Sequence, residues 1–214
     1  MEEVKRVRLD PAMRRAQLIS LGVKMLADRP LEQISVEEIA DQAGVSRGLL
    51  FHYFASKHDF HVEIVRENSH EMLKKTAPRE LRDGDVSADS LIDVLRGVIA
   101  SYVDYVSQNR STYVSLLRGT ASGDPDMRAV FEETRTVMAD RVLIYLPGIG
   151  VERTPQLELA VRGWIAFVEE ATISWLRDPV ISREDLVDMN VRALPSLALA
   201  SSPEQASNLL GLVN

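Results

Sequence analysis

No cysteine occurs among the 214 residues, which excludes a disulfide framework, a thiolate-bound zinc or iron–sulfur centre and a cysteine nucleophile. Alternating apolar and polar runs long enough for a convincing strand are lacking too, so sheet folds are not expected. A Gly-rich phosphate loop, a G-x-S-x-G elbow and an H-E-x-x-H motif are also missing. The chain is therefore expected to be no enzyme, to use no cofactor and to hold no metal, although spacing does not disclose a dispersed triad. The four histidines include His58 and His61, three apart on a helix, which could share an ion with Asp59; they read instead as surface residues. The opening Met1-Glu2-Glu3-Val4-Lys5-Arg6 is charged where an export signal is apolar, and no apolar run reaches the length of a membrane span. A cytoplasmic chain without membrane contact is expected.

What is present is an ordinary globular composition, 45% hydrophobic, with 25 basic and 32 acidic side chains and a net charge of −7. The charge is unevenly placed. Residues 1–56 hold eight basic and eight acidic side chains, so the whole negative excess lies beyond them. A polyanion would be repelled by that larger part, and nucleic-acid contact should be N-terminal, where basic residues crowd the first arm and Arg47, with Lys57 just beyond. The plain alternative is a surface charged only for solubility.

Apolar residues recur at helical spacing almost throughout, giving an all-α reading. Asp10 can cap and Pro11 open a first helix that stops near Arg29-Pro30. Ser35-Val36-Glu37-Glu38 has the form of a capping box, with Glu38 reaching back to the cap. That short helix ends at Gly44, and Ser46 caps another only two residues later, which leaves room for no more than a tight turn between crossed helices. A longer helix from Ser56 to about Lys75 connects this region to the remainder. A polar loop at Arg82-Asp83-Gly84-Asp85 follows, then helices carrying Val98 and Tyr102, Tyr113 and Leu116, Val130 and Met138, and one opened by Thr154-Pro155 and stopped at Asp178-Pro179. Pro195 should kink or end the helix begun at Ser182, and Ser202-Pro203 can cap a short final one.

Two short crossed helices after a third are the architecture of a helix-turn-helix, whose second helix enters the major groove of DNA. Its outward side carries Arg47, Gly48, Phe51 and His52: arginine pairs bidentately with guanine and glycine allows close backbone approach. Tyr53 and Lys57 are placed to hold phosphates. The run Ile39-Ala40-Asp41-Gln42-Ala43-Gly44-Val45-Ser46-Arg47-Gly48-Leu49-Leu50-Phe51-His52-Tyr53-Phe54, followed by Ser56-Lys57, resembles the DNA-binding segment of the TetR family of bacterial transcriptional regulators. The likeness covers roughly Arg14 to Val65. It implies a homodimer whose N-terminal three-helix unit, residues 1–56, binds a near-palindromic double-stranded operator, and whose helical part, residues 57–214, binds an effector and forms the dimer. It also implies DNA contacts from Ser35, Ser46, Arg47, Gly48, Leu49, Phe51, His52, Tyr53 and Lys57. Leu49 and Phe51 depart from the small or hydroxyl residue and the tyrosine more usual there, which shifts base reading toward Arg47, His52 and apolar contact with a thymine methyl. Arg29-Pro30-Leu31 replaces the usual Gly-rich end of the first helix.

In the C-terminal body, Tyr102, Tyr105, Tyr113, Leu117, Met138, Trp164, Phe167 and Trp175 are the residues available to line a pocket for a small apolar or aromatic effector, though each taken singly fits a plain core stripe equally well. The helix from Thr154 to Arg177 has two apolar faces. Leu159, Gly163, Ala166 and Ile173, with Leu186 and Met189 of the next helix, are the candidate dimer interface; an intramolecular core is the alternative. The expected function is sequence-specific DNA-binding regulation, a repressor released from its operator by a small molecule. A DNA-bound architectural or protein-partnered regulator without an effector, and an all-α enzyme that borrowed the N-terminal unit, stay open.

Overall fold

The computed structural model describes residues 10–79 and 87–201. The basic residues of the N-terminal arm, the Arg82–Asp85 loop and the helix expected at Ser202-Pro203 lie outside the described residues. Among those described there is no strand, and the helices are α1 (Pro11–Leu26), α2 (Val36–Ala43), α3 (Arg47–Tyr53), α4 (Lys57–Lys75), α5 (Ala88–Gln108), α6 (Arg110–Arg118), α7 (Pro125–Leu143), α8 (Pro155–Arg177) and α9 (Arg183–Ser201). Single 3-10 turns at Leu31–Gln33, Thr120–Gly123 and Leu146–Ile149 fill three of the connections.

The caps are local chemistry. Asp10 accepts the Met13 N–H at 2.8 Å and Pro11 takes the first helical position, where its missing N–H is no loss. Thr154 with Pro155 repeats that device at α8. At α2, Ser35 accepts the Glu38 N–H at 3.3 Å, but the expected return bond is not made. Glu38 instead takes two hydrogen bonds from the Arg29 guanidinium, 2.8 and 3.0 Å, because a bidentate charged partner outweighs a neutral amide. Pro195 does not end its helix either. It sits inside α9, which continues to Ser201 with Leu194, Pro195 and Ala198 buried, so apolar burial outweighs the lost backbone bond.

Compactness divides the described chain into two units: residues up to Asn68 with Ser111–Val130, and Ser69–Arg110 with Phe131 onward. The boundary between these compact units thus falls inside α4, beyond the division at residue 56 that the family resemblance implies. The reason is that Phe60, Ile64 and Val65, on the first half of α4, are fully buried in the first unit's core along with Leu18, Leu26 and Leu50. A Cβ built on Gly22 would overlap the Ile64 side chain, so α1 and α4 approach at a distance that only glycine permits. Thr112, buried, donates to the Leu26 carbonyl at 2.7 Å and satisfies an orphan acceptor at the end of α1.

In the second unit α5, α8 and α9 pack on one another around Val103, Val106, Leu157, Val161 and Leu186. Arg183 holds Asp104 through two bonds of 2.6 and 2.7 Å, and Arg96 pairs with Asp188, so α5 and α9 are joined at two levels by ion pairs. The Trp164 indole donates to the Asn190 carbonyl at 2.8 Å, tying α8 to α9. No helix among the described residues is long and apolar enough to cross a membrane.

Candidate functional site

The turn between α2 and α3 is set by Gly44, whose φ of 65° lies in the left-handed region where a side chain would be strained. The Val45 N–H returns to the Ala40 carbonyl at 2.9 Å, closing the helix end. Ser46 then caps α3 by accepting the Leu49 N–H at 3.2 Å. Leu50 is fully buried and anchors α3 to the unit's core, which leaves Ser46, Arg47, Gly48, Leu49 and His52 exposed and Phe51 and Tyr53 half-buried. Ser35 is half-buried and Lys57, the first residue of α4, is exposed. The residues that the sequence groups on one outward face of α3 are thus at the surface together.

Arg47 is not idle in this arrangement. Its guanidinium pairs with Glu37 of α2 at 2.9 Å and lies over the Phe51 ring, 5.4 Å from the centroid. The Ser35 hydroxyl donates to the same Glu37 carboxylate at 2.9 Å. Glu37's own backbone amide, then Ser35, then the charges of Arg47 and Lys57 hold that carboxyl below its ordinary range. Sequence reasoning misses Glu37 because the pair spans a turn at a spacing no helical rule predicts. What the surface offers is a helix N-terminus, a planar cation, an imidazole, an exposed Leu49 and a half-buried Phe51 ring, a set suited to phosphates and base edges.

The second unit contains a cavity of about 90 Å³ lined almost wholly by hydrocarbon. Tyr102, Met138 and Trp164 of the expected effector set meet there. The others do not. Tyr105 is buried beneath the Lys75 ammonium, 5.8 Å from its ring, and burial with the nearby Glu71 charge pushes its phenol up to about 12. Tyr113 and Leu117 belong to the first unit, Phe167 is 39% exposed, and the Trp175 indole donates to the Ile181 carbonyl at 2.8 Å. Thr76 and Arg141, which periodicity did not single out, also line the cavity, as does Tyr145.

Of the candidate interface residues, Leu159 is 72% and Met189 40% exposed, and Gly163 and Ala166 are exposed beside Phe167. Ile173 and Leu186 are only 3% and 1% exposed, placed in the core of their own unit. Nothing lies within 4 Å of a Cβ built on Gly163. Leu197 extends the exposed apolar stripe along α9.

The two histidines of α4 part company. His61 turns inward, its Nε2–H donating to the Ile34 carbonyl at 3.2 Å, and burial lowers its pKa. His58 faces Asp126 at 2.9 Å and Asp124 at 3.7 Å. Those three offer ligand atoms within 4.8 Å of one another, and Asp124 already accepts the amides of Asp126 and Met127 at the start of α7.

Residues 18–64 match the family described as bacterial regulatory proteins, tetR family, and residues 91–196 match the tetracyclin repressor-like C-terminal domain, together more than two thirds of the chain. The HTH-type transcriptional repressor KstR2 of Mycolicibacterium smegmatis is 44% identical over 57 residues, 27% of this chain and 28% of that protein, so the match spans little more than a quarter of the relative's length. The HTH-type transcriptional activator FasR of the same species is 23% identical over 86% of this chain and 83% of its own. A crystal structure of a TetR-family regulator from Streptomyces coelicolor has a TM-score of 0.76 and 27% identity, covering 96% of this chain and 90% of that one.

Proposed function

Because the chain belongs to the TetR family of bacterial transcriptional regulators, we propose that it is a sequence-specific repressor, released from a near-palindromic operator when a small molecule occupies the cavity of the second unit. The observation that carries the reading is α3. Leu50 fixes this seven-residue helix to its core while Ser46, Arg47, Gly48, Leu49 and His52 are exposed, Arg47 being held only by Glu37 and the Phe51 ring. Arg47 and His52 read base edges, Leu49 and Phe51 meet a thymine methyl, and Ser35, Ser46, Tyr53 and Lys57 hold phosphates. The Leu159, Gly163, Ala166 and Phe167 stripe of α8 pairs with its counterpart in a second copy, with Met189 and Leu197 alongside. Such a dimer places two recognition helices about 34–36 Å apart, one turn of DNA.

The cavity favours an effector-responsive regulator over one that has no small-molecule ligand, since an apolar void costs stability unless something fills it. α4 runs from one unit into the other and is the element through which an effector shifts the population away from the DNA-competent form.

The test is selection of bound sequences from a random duplex pool at near-physiological salt, where non-specific electrostatic attachment is weak. A two-fold symmetric consensus is expected. A pool that shows no enrichment, with the protein folded and ligand-free, removes the operator reading.

A further inference from the structure

We infer that the cavity of the second unit binds an amphipathic carboxylate, its chain against the hydrocarbon walls and its head group paired with Arg141. This deepens the effector reading above and rests on it. Two charged side chains reach the cavity, Arg141 of α7 and Glu169 of α8. Glu169 is already engaged: the Arg135 Nε lies 3.0 and 3.2 Å from its two carboxylate oxygens and Nη2 lies 2.8 Å from one of them. Its carboxylate is 13% exposed and its charge is met by that guanidinium.

Arg141 is the opposite case. Among the described residues it has no ion pair and no hydrogen-bond partner, and burial alone lowers its pKa, with no carboxylate acting on it. A guanidinium does not shed its proton in proteins, so a half-buried one lacking a counter-ion carries an unanswered desolvation cost. Its place in the last turn of α7 suits the helix dipole, yet an exposed arginine would do the same without lining a cavity. Tyr145, four residues on, lines the same cavity and brings a phenol donor to it. An anion of planar, bidentate form is what this pairing recognises.

Other head groups fit less well. A cation would meet Arg141 with like charge and find Glu169 taken. A neutral molecule would bury the walls and desolvate Arg141 further without answering its charge. The walls themselves, Leu91, Val98, Ile99, Met138, Val142 and Val168, are aliphatic or soft and take an alkyl chain.

The experiment titrates octanoate, octan-1-ol and octylamine, equal chains with different heads, into the full-length wild type, Arg141→Met and Arg141→Lys, reading tryptophan fluorescence and melting temperature. Trp164 lines the cavity and reports on its occupation. In the wild type, octanoate should bind about ten- to a hundredfold tighter than octan-1-ol, the range expected of a charge-assisted bond, with octylamine weakest. Arg141→Met should bring the octanoate-to-octanol ratio to about one, and Arg141→Lys should restore part of it. The melting temperature of unliganded Arg141→Met reports its fold, and the wild-type ratio stands as a test by itself. Octan-1-ol binding as tightly as octanoate, or a ratio unchanged in Arg141→Met, overturns the carboxylate assignment while leaving an apolar effector in place. Binding of none of the three overturns both the assignment and the cavity as an effector site.

Discussion

Arg47 and Glu37 form a 2.9 Å ion pair across the turn between α2 and α3, so the guanidinium proposed to read a base is held by a carboxylate on the neighbouring helix. In the proposed complex Arg47 exchanges that partner for guanine, which would leave the Glu37 charge close to the phosphate backbone. Arg47→Ala should cost about 1–3 kcal/mol on the selected operator and relax preference at one base position. Lys57→Ala should weaken all duplexes alike and reduce the salt slope by about one. Glu37→Gln removes both the competing partner and the repelled charge, and is expected to tighten binding to operator and random duplex. Measured affinities at two salt concentrations decide it: weaker operator binding by Glu37→Gln would show that the pair preorganises Arg47 instead.

Gly48 separates a proposed DNA contact from a folding requirement. A Cβ added there meets only the Ser46 Oγ, at 3.9 Å, so the free protein has room for it. Gly48→Ala should leave the melting temperature unchanged or raise it, since a helical glycine is about 0.5–1 kcal/mol less favourable than alanine. Operator affinity should nevertheless fall, because the methyl occupies the space through which backbone approaches the groove. Unchanged affinity would remove Gly48 from the contact set.

What was legible in the chain, and what was not, divides along range of interaction. Asp10, Ser46 and Thr154 are readable as caps because each satisfies an amide three residues away, and the crossed pair α2 and α3 follows from Gly44 and Ser46 alone. Glu38 escaped because its partner Arg29 lies nine residues back across a loop, and Glu37–Arg47 escaped in the same way. Tyr102 and Tyr105 sit on one helix, both buried, and periodicity does not tell the one that lines a cavity from the one that fills core. The two apolar faces of α8 were visible as faces, but that Ile173 is covered and Leu159 bare depends on where α5 and α9 pack, which spacing does not encode.

Gly22 is a packing glycine. A Cβ at this position overlaps Ile64 and comes within 3.5 Å of Phe60, so Gly22→Ala must push α4 away or force Ile64 off its rotamer. Overpacking of that kind costs about 1–3 kcal/mol, more than the helix gains from losing a glycine. Chemical denaturation of Gly22→Ala, Ile64→Val and the double variant should show coupling, with the double variant more stable than the two single losses predict. Simple additivity would mean that α1 and α4 adjust freely at this crossing.

Gly163 tests the proposed pairing of α8. Its Cβ position opens onto empty space, so Gly163→Lys adds a helix-favouring residue without disturbing the protomer. In a dimer built on the Leu159–Phe167 stripe, the same side chain places bulk and charge between two closely packed helices. Sedimentation should then show a concentration-dependent monomer while the unfolding of the isolated chain is unaffected or improved. An assembly state identical to the wild type would move the interface elsewhere.

The His58 pair with Asp126 and Asp124 makes part of the first unit's stability dependent on pH. The hydrogen bond to Asp126, then the charges of Asp124, Asp126 and Asp59, raise the His58 pKa above its ordinary 6.5, against a smaller opposing effect of burial. A pKa raised in the folded state contributes stability that is complete below the unfolded value and disappears as pH rises through the folded one. His61 works in the other direction: burial lowers its pKa below 6.5, so its contribution is present above that value and is lost as pH falls through the lowered one. Because the two oppose, the wild-type curve alone is uninformative, and the difference between wild type and His58→Asn carries the answer. That variant should melt lower than the wild type at pH values below the ordinary histidine pKa, with the gap shrinking as pH rises through the raised folded-state pKa. A gap that is constant across this range would mean that His58 supports α4 and α7 by neutral hydrogen bonding and that no proton is taken up on folding at this site.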